Sequence, residues 1–310
     1  MKFSMVGLSV IAMSIATLPA VGQVKREFVH ERDLETGMLW QKLPAWQGEG
    51  LLGFYGNDSA GPVIFSIDRD GRKDEFLFAL KDAAKIRIYS LARSQKGEIA
   101  LAGNAYTTDL HGATYVARIA PGFEKQTVIR TWPYCPAVVA LSTDGVLWAV
   151  GNLKNEDGTA DVITGHLLRR YDAAGKMLSS KVIAVRDFQG AGDYATYLQT
   201  SRERVGWLTV AEYIEFALDG SEIARYPIPG ATSYTDMVGL AMGQDGEVVI
   251  GREQRDKRNK YEILQLDREK GVWVPLVLPH SPPPWTVLGF DGTTLVGSTG
   301  NGRLSRFASK

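Results

Sequence analysis

GEIALAGN, from Gly97 to Asn104, and GVLWAVGN, from Gly145 to Asn152, share one pattern: a turn glycine, a short apolar strand and a polar stop. The intervals between six such segments are 47, 48, 60, 41 and 46 residues. A period of this length is typical of repeat architectures, so we expect one structural unit to recur six times. The other four segments are GLLGFYGN from Gly50, VGWLTVAE from Val205, GEVVIGRE from Gly246 and GTTLVGST from Gly292.

Two sets of glycine turns flank the repeated strands. Glycine supplies the positive φ that a tight hairpin needs, so each turn predicts a β-hairpin. The pattern therefore predicts that each unit has four antiparallel strands, A to D, with tight A–B and C–D turns. The A–B turns are Lys96-Gly97, Asp144-Gly145, Asp245-Gly246 and Asp291-Gly292, and the C–D turns are Asp70-Gly71, Pro121-Gly122, Ala174-Gly175, Asp219-Gly220 and Lys270-Gly271.

The number and size of the units predict an all-β fold, a six-bladed β-propeller of four-stranded antiparallel blades. Six units over residues 23–310 give 48 residues each, which is the size of a propeller blade. Packing the sheets around an axis buries their apolar faces and removes long exposed edges. The last unit has no D strand after Phe307, so we predict that Val24 to Asp33 pairs with Arg303 to Phe307 and closes the ring. The repeat also favours a strand over a helix within Leu80 to Arg93.

The N-terminus has the order of a secretory signal peptide. Lys2 precedes an uncharged apolar run from Met5 to Leu18, and Ala20 and Gly22 are small residues before a predicted cut at Gln23. We expect residues 1–22 to be removed and residues 23–310 to form one domain in the periplasm or outside the cell. The apolar run is too short to span a membrane.

Charge and cysteine content exclude some classes of partner. The chain has 35 basic and 35 acidic residues, so no global field attracts nucleic acid. Cys135 is the only cysteine, so no intramolecular disulfide forms, and we interpret it as a small buried apolar side chain. We expect a monomer.

Long connections are confined to one side of the predicted propeller. The B–C and D–A connections share a rim, which we call the long-loop face; the A–B and C–D turns lie on the opposite tight-turn face. Binding residues are concentrated on loops held by a rigid scaffold, so the long-loop face is the predicted binding site. Its long loops are Tyr106 to Gly112, Leu153 to Gly165, Arg186 to Ala195, Arg252 to Lys260 and Leu278 to Pro284.

Amides, carboxylates and aromatic rings are expected around the axis of this face. Such a mixture suits a sugar-like or other small polar ligand, or a protein or peptide partner. The alternative is that these side chains satisfy backbone groups of the loops. The candidates are Asn57, Asn104, Asn152, Glu212 and Glu253 at B-strand ends, and Tyr134, Tyr194, Tyr234, Asp236 and Trp285 at A-strand starts.

The order of strands and glycine turns resembles the six-bladed propellers of the NHL-repeat, TolB-like and regucalcin/gluconolactonase kind, over nearly the whole mature chain. The resemblance implies architecture. Regucalcin-like lactonases hold a divalent metal through a glutamate, an asparagine and an aspartate, and Glu212, Asn152 and Asp236 supply those types here. The resemblance therefore implies an alternative function, a lactonase-like hydrolase with one divalent metal such as calcium or zinc, although the surrounding sequence matches no motif of that family.

The sequence shows no recognisable catalytic motif. The four histidines, His30, His111, His166 and His280, show no HExxH or paired spacing, and no GxSxG elbow occurs in residues 23–310. We therefore predict a binding propeller without catalysis and without a cofactor.

Overall fold

The computed structural model describes most of the chain after the N-terminal segment. Within the described ranges no helix is long and apolar enough to cross a membrane. The predicted signal peptide lies outside them. The described residues are 28–35, 45–47, 50–109, 111–123, 125–155, 166–185, 197–230, 237–254, 260–279, 286–298 and 303–309.

These residues form an all-β structure in which strands alternate with turns. The strands are β1 (Phe28–Glu35), β2 (Ala45–Gln47), β3 (Gly50–Tyr55), β4 (Val63–Asp68), β5 (Lys73–Leu77), β6 (Lys85–Arg93), β7 (Ile99–Tyr106), β8 (Gly112–Ile119), β9 (Gln126–Arg130), β10 (Tyr134–Leu141), β11 (Leu147–Leu153), β12 (His166–Tyr171), β13 (Met177–Ile183), β14 (Tyr197–Thr200), β15 (Arg204–Leu208), β16 (Glu212–Ala217), β17 (Glu222–Pro227), β18 (Met237–Met242), β19 (Val248–Gln254), β20 (Lys260–Asp267), β21 (Val272–Pro275), β22 (Thr286–Asp291), β23 (Thr294–Ser298) and β24 (Arg303–Ser309).

Consecutive strands pair antiparallel in groups of four, as in the blades of a β-propeller. Arrays 1 to 4 are the separate sheets β2–β5, β6–β9, β10–β13 and β14–β17. Array 5 (β18–β21) and array 6 (β22, β23, β24 and β1) share one eight-stranded sheet. The sequence predicts separate sheets here. The structure joins them through one parallel pair, Gly239 with Val287. The two inner strands can approach this closely because glycine has no Cβ, and a Cβ at Gly239 would lie only 2.0 Å from the Val287 carbonyl oxygen.

The predicted turns are confirmed by the backbone. All nine predicted turn glycines have positive φ, between 58° at Gly292 and 93° at Gly220. The segment predicted as strand within Leu80 to Arg93 forms β6, which begins at Lys85. Glycine at these positions therefore specifies where each hairpin reverses.

The core lies between neighbouring arrays. Trp148 of array 3 packs in one buried cluster with Trp207 of array 4, and equivalent clusters lie between the other consecutive arrays of the described chain. A further cluster packs Trp46 and Phe65 of array 1 against Leu304 of array 6. Each apolar sheet face is therefore buried against its neighbour, as the absence of disulfides requires.

Polar residues near the ends of the C strands join arrays 2 and 3, 3 and 4, and 4 and 5. Arg118 of array 2 donates to the Asp172 carbonyl of array 3 at 3.0 Å, and Arg170 of array 3 bonds the turn carbonyls of array 4. Array 4 has the fully buried Glu215 at this position, and Arg268 of array 5 pairs with it. Burial alone would lower the pKa of Arg268, but the hydrogen bond and charge of Glu215 raise it.

The N-terminal strand completes array 6. Phe28–Glu35 pairs antiparallel with Arg303–Ser309, which confirms the predicted pairing of the two ends; Val24 to Glu27 lie outside the described residues. Asp33 forms an ion pair with Arg303, and the Ser305 hydroxyl donates to its carboxylate at 2.7 Å. His30 lies 3.0 Å from the same carboxylate.

Acidification should weaken this pairing through Asp33. Burial tends to raise the pKa of Asp33, but hydrogen bonds from His30, Ser305 and Arg303 lower it below its usual 3.8. A lowered folded-state pKa stabilises the fold above the unfolded value, and that stability is lost as the pH falls through the folded value. Asp33→Asn should therefore lower Tm at neutral pH, and its Tm should converge with wild type below pH 3.8.

Thermal unfolding of both proteins across the acid range measures this difference. Asp74→Asn, at an exposed carboxylate of β5, is the matched control and should follow wild type at every pH. A constant gap between Asp33→Asn and wild type down to the lowest pH would show that the Asp33 charge is not responsible.

Candidate functional site

The first strand of each array lies innermost, where it contacts the first strands of its neighbours. Toward the tight-turn face these strands are joined by side chain to backbone hydrogen bonds. The Gln47 side chain accepts from the Arg93 N–H, and the Thr200 hydroxyl donates to the Leu141 carbonyl at 2.9 Å. These bonds join array 1 to array 2 and array 4 to array 3.

Gln199 joins three further inner strands near this end of the axis. Its amide nitrogen donates to the Leu240 carbonyl at 2.6 Å and the Leu288 carbonyl at 3.2 Å, and its oxygen accepts from the Met242 N–H at 2.9 Å. One side chain thus joins arrays 4, 5 and 6. A small cavity of about 40 Å³ remains among these strand ends, and it is large enough for ordered water.

The repeated B-strand glycines shape the inner strands toward the opposite, long-loop face. β6 contains a β-bulge between Ile88 and Ser90, and β10 has one at the equivalent place. A Cβ at Gly103 would lie 2.0 Å from the Arg87 carbonyl oxygen, and one at Gly151 would lie equally close to that of Cys135. The glycines of GEIALAGN and GVLWAVGN therefore admit the bulged inner strand.

Asn57 and Tyr134, two predicted site residues, have partners within the fold. The Asn57 amide donates to the Ile88 carbonyl at 3.1 Å and accepts from its N–H at 2.9 Å, which joins array 1 to β6. Tyr134 is fully buried, its hydroxyl donates to the Leu167 carbonyl at 3.2 Å, and the Arg169 guanidinium lies 4.2 Å from its ring centre. Both side chains therefore fit the alternative interpretation of the sequence, in which they satisfy backbone groups instead of binding a ligand.

Glu212 occupies a different place from the one predicted. It begins the C strand β16 instead of ending the B strand, because β15 stops at Leu208 and the hydroxyl of Thr209 accepts from the Glu212 N–H in a tight turn. Its side chain is 3% exposed and accepts from Arg225 at 2.9 Å. Arg225 also bonds the Ala184 carbonyl of the preceding connection, so Glu212 helps to hold arrays 3 and 4 together.

Asn104 and Asn152 lie at the long-loop ends of neighbouring arrays, opposite Arg87 and Cys135 of the inner strands. The Asn104 amide donates to the Tyr106 hydroxyl at 3.2 Å. Burial raises the pKa of Cys135, only partly offset by Lys154, so the thiol stays protonated at neutral pH and is a poor nucleophile. These groups form a polar patch in which Asn104 is half-buried and Asn152 is buried.

Two aromatic residues of this region were missed by sequence reasoning. Tyr89 sits in the bulge of β6, and burial, together with the nearby Cys135 and Tyr106, raises its pKa to about 12. Trp132 is 51% exposed, and it is the one aromatic side chain among the exposed large hydrophobic residues of the described chain. The Trp-Pro dipeptide before a strand was the available signal for Trp132; nothing in the alternation pattern signals the bulge at Tyr89.

Trp132 stands on a backbone that is fixed on both sides. The Thr131 N–H donates to the Thr114 carbonyl at 2.9 Å, and the Pro133 carbonyl accepts from the Lys154 N–H at 2.8 Å. An exposed indole held in this way can stack on a ligand at little cost in conformational entropy.

Several predicted contacts fall where side chains are not described. Tyr194, Tyr234, Asp236 and Trp285 lie outside the described residues, and so does the side chain of Glu253, whose backbone belongs to β19. Among the residues that are described, no three His, Cys, Asp or Glu side chains are grouped to hold a metal ion. In the proposed set of Glu212, Asn152 and Asp236, the Glu212 carboxylate is already paired with Arg225.

Fold and inner-strand geometry together define a β-propeller of four-stranded blades, and solved structures agree. A protein of unknown function from Dyadobacter fermentans gives a TM-score of 0.56 at 10% identity over 91% of this chain and 99% of its own. Virginiamycin B lyase from Staphylococcus aureus gives 0.52 at 14% identity over the same shares. A gluconolactonase from Xanthomonas campestris gives 0.50 at 16% identity over 92% of this chain and 94% of its own.

These similarities show the fold alone, because the identities are low and propellers host unrelated functions. No family model and no curated protein sequence matches the chain. The particular propeller family is therefore not fixed by comparison.

Proposed function

We propose that this protein is an exported, non-catalytic six-bladed propeller that binds a small polar ligand, or a protein or peptide partner, on its long-loop face. The observation that carries the proposal is the asymmetry of the axis. Its tight-turn end is narrowed around a cavity of about 40 Å³. Toward the long-loop end, Tyr89 lies in the bulge of β6, Asn104 and Asn152 lie near the ends of the B strands, and Trp132 is exposed in the connection before β10. We therefore expect a ligand to approach the axis from the long-loop face.

Six blades are supported by the way the arrays pack. Arrays 5 and 6 share a sheet only through one residue pair, and each retains four antiparallel strands of its own. The cluster of Trp46 with Leu304 brings the last array against the first, as a closed ring requires.

The ligand contacts proposed are the predicted residues that the described bonds do not assign to the fold, together with two aromatic residues. Asn57, Tyr134 and Glu212 are assigned to the fold by their bonds, and we add Trp132 and Tyr89. Amide and aromatic groups together suit a sugar-like ring, since amides bond hydroxyl groups and an indole stacks on the apolar face of the ring. The remaining proposed contacts are Asn104, Asn152, Tyr194, Tyr234, Asp236, Glu253 and Trp285.

A thermal-shift screen of mono- and oligosaccharides and short peptides tests the proposal. We expect at least one class of compound to raise Tm, and Trp132→Ala and Trp285→Ala to weaken its binding about five-fold or more, because stacking on an aromatic side chain contributes about 1–3 kcal/mol. Trp132→Ala should leave the Tm of the free protein within about one degree.

Met177→Ala is the matched control. Met177 is as exposed as Trp132 but begins β13 at the tight-turn side, so its replacement should leave binding unchanged. If Met177→Ala weakens binding as much as the tryptophan variants do, the ligand does not use the long-loop face.

Metal analysis separates binding from the lactonase-like alternative. We expect purified mature protein to hold less than about one tenth of a calcium or zinc ion per chain and to leave gluconolactone unhydrolysed with either ion added. One firmly bound ion per chain together with lactone hydrolysis would replace the binding proposal by the enzymatic one.

A further inference from the structure

A second concave site lies on the long-loop face, at the outer part of array 2. It is a cleft of about 450 Å³, within the range of small-molecule sites. Ala105 and Ala113 of β7 and β8 line it with small side chains, and Tyr115 of β8, 2% exposed, also borders it. One side is the segment 80–83, which connects array 1 to β6.

The opposite side of the cleft is the outermost strand of array 2. Gln126, Val128 and Arg130 alternate along β9 and therefore share one sheet face. All three are exposed, because array 1 covers the inner part of this face and leaves its outer part uncovered. The cleft thus follows from the packing of the two arrays and needs no opening motion.

The segment 80–83 is held by a hydrogen bond within it and by bonds from its flanking residues to array 2. The Ala84 N–H donates to the Tyr106 carbonyl at 2.8 Å, and the Ala83 N–H donates to the Leu80 carbonyl at 3.2 Å. From the other side the Gln126 amide donates to the Ala79 carbonyl at 3.1 Å. A site held in this way is pre-formed, which lowers the entropic cost of binding.

The cleft combines an apolar floor with positive charge at its opening. Lys81 and Arg130 line it from opposite sides, and in the described part of the chain neither forms an ion pair. His111 lies at the same opening, beside Asp109, and Asp82 is the one acidic residue of the lining. The balance favours an anion, and a guanidinium binds planar oxyanions such as carboxylate or sulfonate with two hydrogen bonds.

We propose that this cleft binds a flat, mainly apolar organic anion, such as an aromatic carboxylate, with its ring on Ala105 and Ala113 and its charge between Lys81 and Arg130. The site is separate from the polar patch around Asn104 and Asn152, which we call the axial patch, and it does not depend on the function proposed for that patch. Tyr106 lies between the two, since it lines the cleft and also accepts the hydrogen bond from Asn104.

Fluorescence titration of the mature protein with two dyes of the same shape tests the proposal. Anilinonaphthalene sulfonate carries the flat body and the anion, and phenyl naphthylamine is its neutral counterpart. We expect the wild type to bind the sulfonate more tightly than the neutral dye. In Lys81→Gln/Arg130→Gln the sulfonate should bind about tenfold more weakly and the neutral dye within about twofold of wild type, because only the charge contacts are lost.

Two further variants locate the dye and control for net charge. Arg72→Gln/Lys176→Gln makes the same charge change at exposed positions on the tight-turn face and should bind both dyes as the wild type does. Val128→Trp fills the cleft from a strand position that accepts an aromatic residue, and it should abolish binding of both dyes without lowering Tm.

The proposal is overturned if the wild type does not prefer the sulfonate dye, or if the two double variants weaken it equally. It is overturned as well if Val128→Trp retains full binding. None of these results depends on the axial patch, because Trp132 and Trp285 are intact in every variant and the saccharide and peptide screen is measured separately.

Discussion

Deletion of residues 23–35 should cost the propeller more stability than any single substitution discussed above. β1 pairs along its length with β24, and without it β24 becomes an open edge. The deletion also removes Phe28, which is buried in a cluster with Phe307, Leu276 and Phe290. Loss of one buried phenylalanine alone costs about 3–5 kcal/mol, so we expect a fall of at least that size in the free energy of unfolding, or aggregation through the exposed edge.

A synthetic peptide of residues 23–35 distinguishes lost pairing from general damage. Added to the deletion variant, it should restore Tm in a concentration-dependent way, because it binds the folded state alone. The same peptide with Asp33→Lys should restore less, since it would place a second cation against Arg303. An unchanged Tm after deletion would contradict the closure of array 6 by the N-terminal strand.

The backbone of this fold is readable from sequence because turns and strands are local. Each turn glycine needs a positive φ that other residues resist, so Gly97 or Gly145 marks a hairpin without reference to the rest of the chain. Period-two alternation and repeat length then specify the strands and their grouping. The pairing of Phe28–Glu35 with the last strand was also predictable, because an array of three strands leaves an unpaired edge.

The site was less predictable because it depends on contacts between distant residues. The sequence predicted that Glu212 and Asn57 face a ligand from strand ends. In the structure Glu212 bonds Arg225 and Asn57 bonds the Ile88 backbone, and neither partner is a sequence neighbour. Tyr89 was missed because a β-bulge turns it, and a bulge breaks the alternation that sequence reasoning uses. The joining of arrays 5 and 6 depends on the close approach of Gly239 to Val287, and no local sequence pattern predicts that approach.

Gln199→Leu should produce the largest loss among the single substitutions near the axis. Gln199 is buried and bonds three backbone groups from two other arrays, and leucine leaves all three without a partner. An unpaired buried backbone group costs about 1–3 kcal/mol, so we expect a loss of about 3 kcal/mol or more, measured by denaturant unfolding. Gln244→Leu is the matched control, because Gln244 lines the same small cavity but its side-chain oxygen has no hydrogen-bond partner among the described residues.

Gln199→Glu tests whether hydrogen bonding, and not packing, is responsible. A carboxylate keeps the shape of the amide and accepts from the Met242 N–H, but it repels the Leu240 and Leu288 carbonyl oxygens unless it is protonated. Burial and this repulsion raise its folded-state pKa, so the variant should be most stable at low pH and should lose stability as the pH rises through that value. As the pH falls from about 7 to about 5, the stability of Gln199→Glu should therefore approach that of wild type. The stability of Gln199→Leu relative to wild type should not change over the same range. Equal behaviour of the two variants over this range would show that Gln199 acts by filling space, and the closure of the axis would then rest on packing alone.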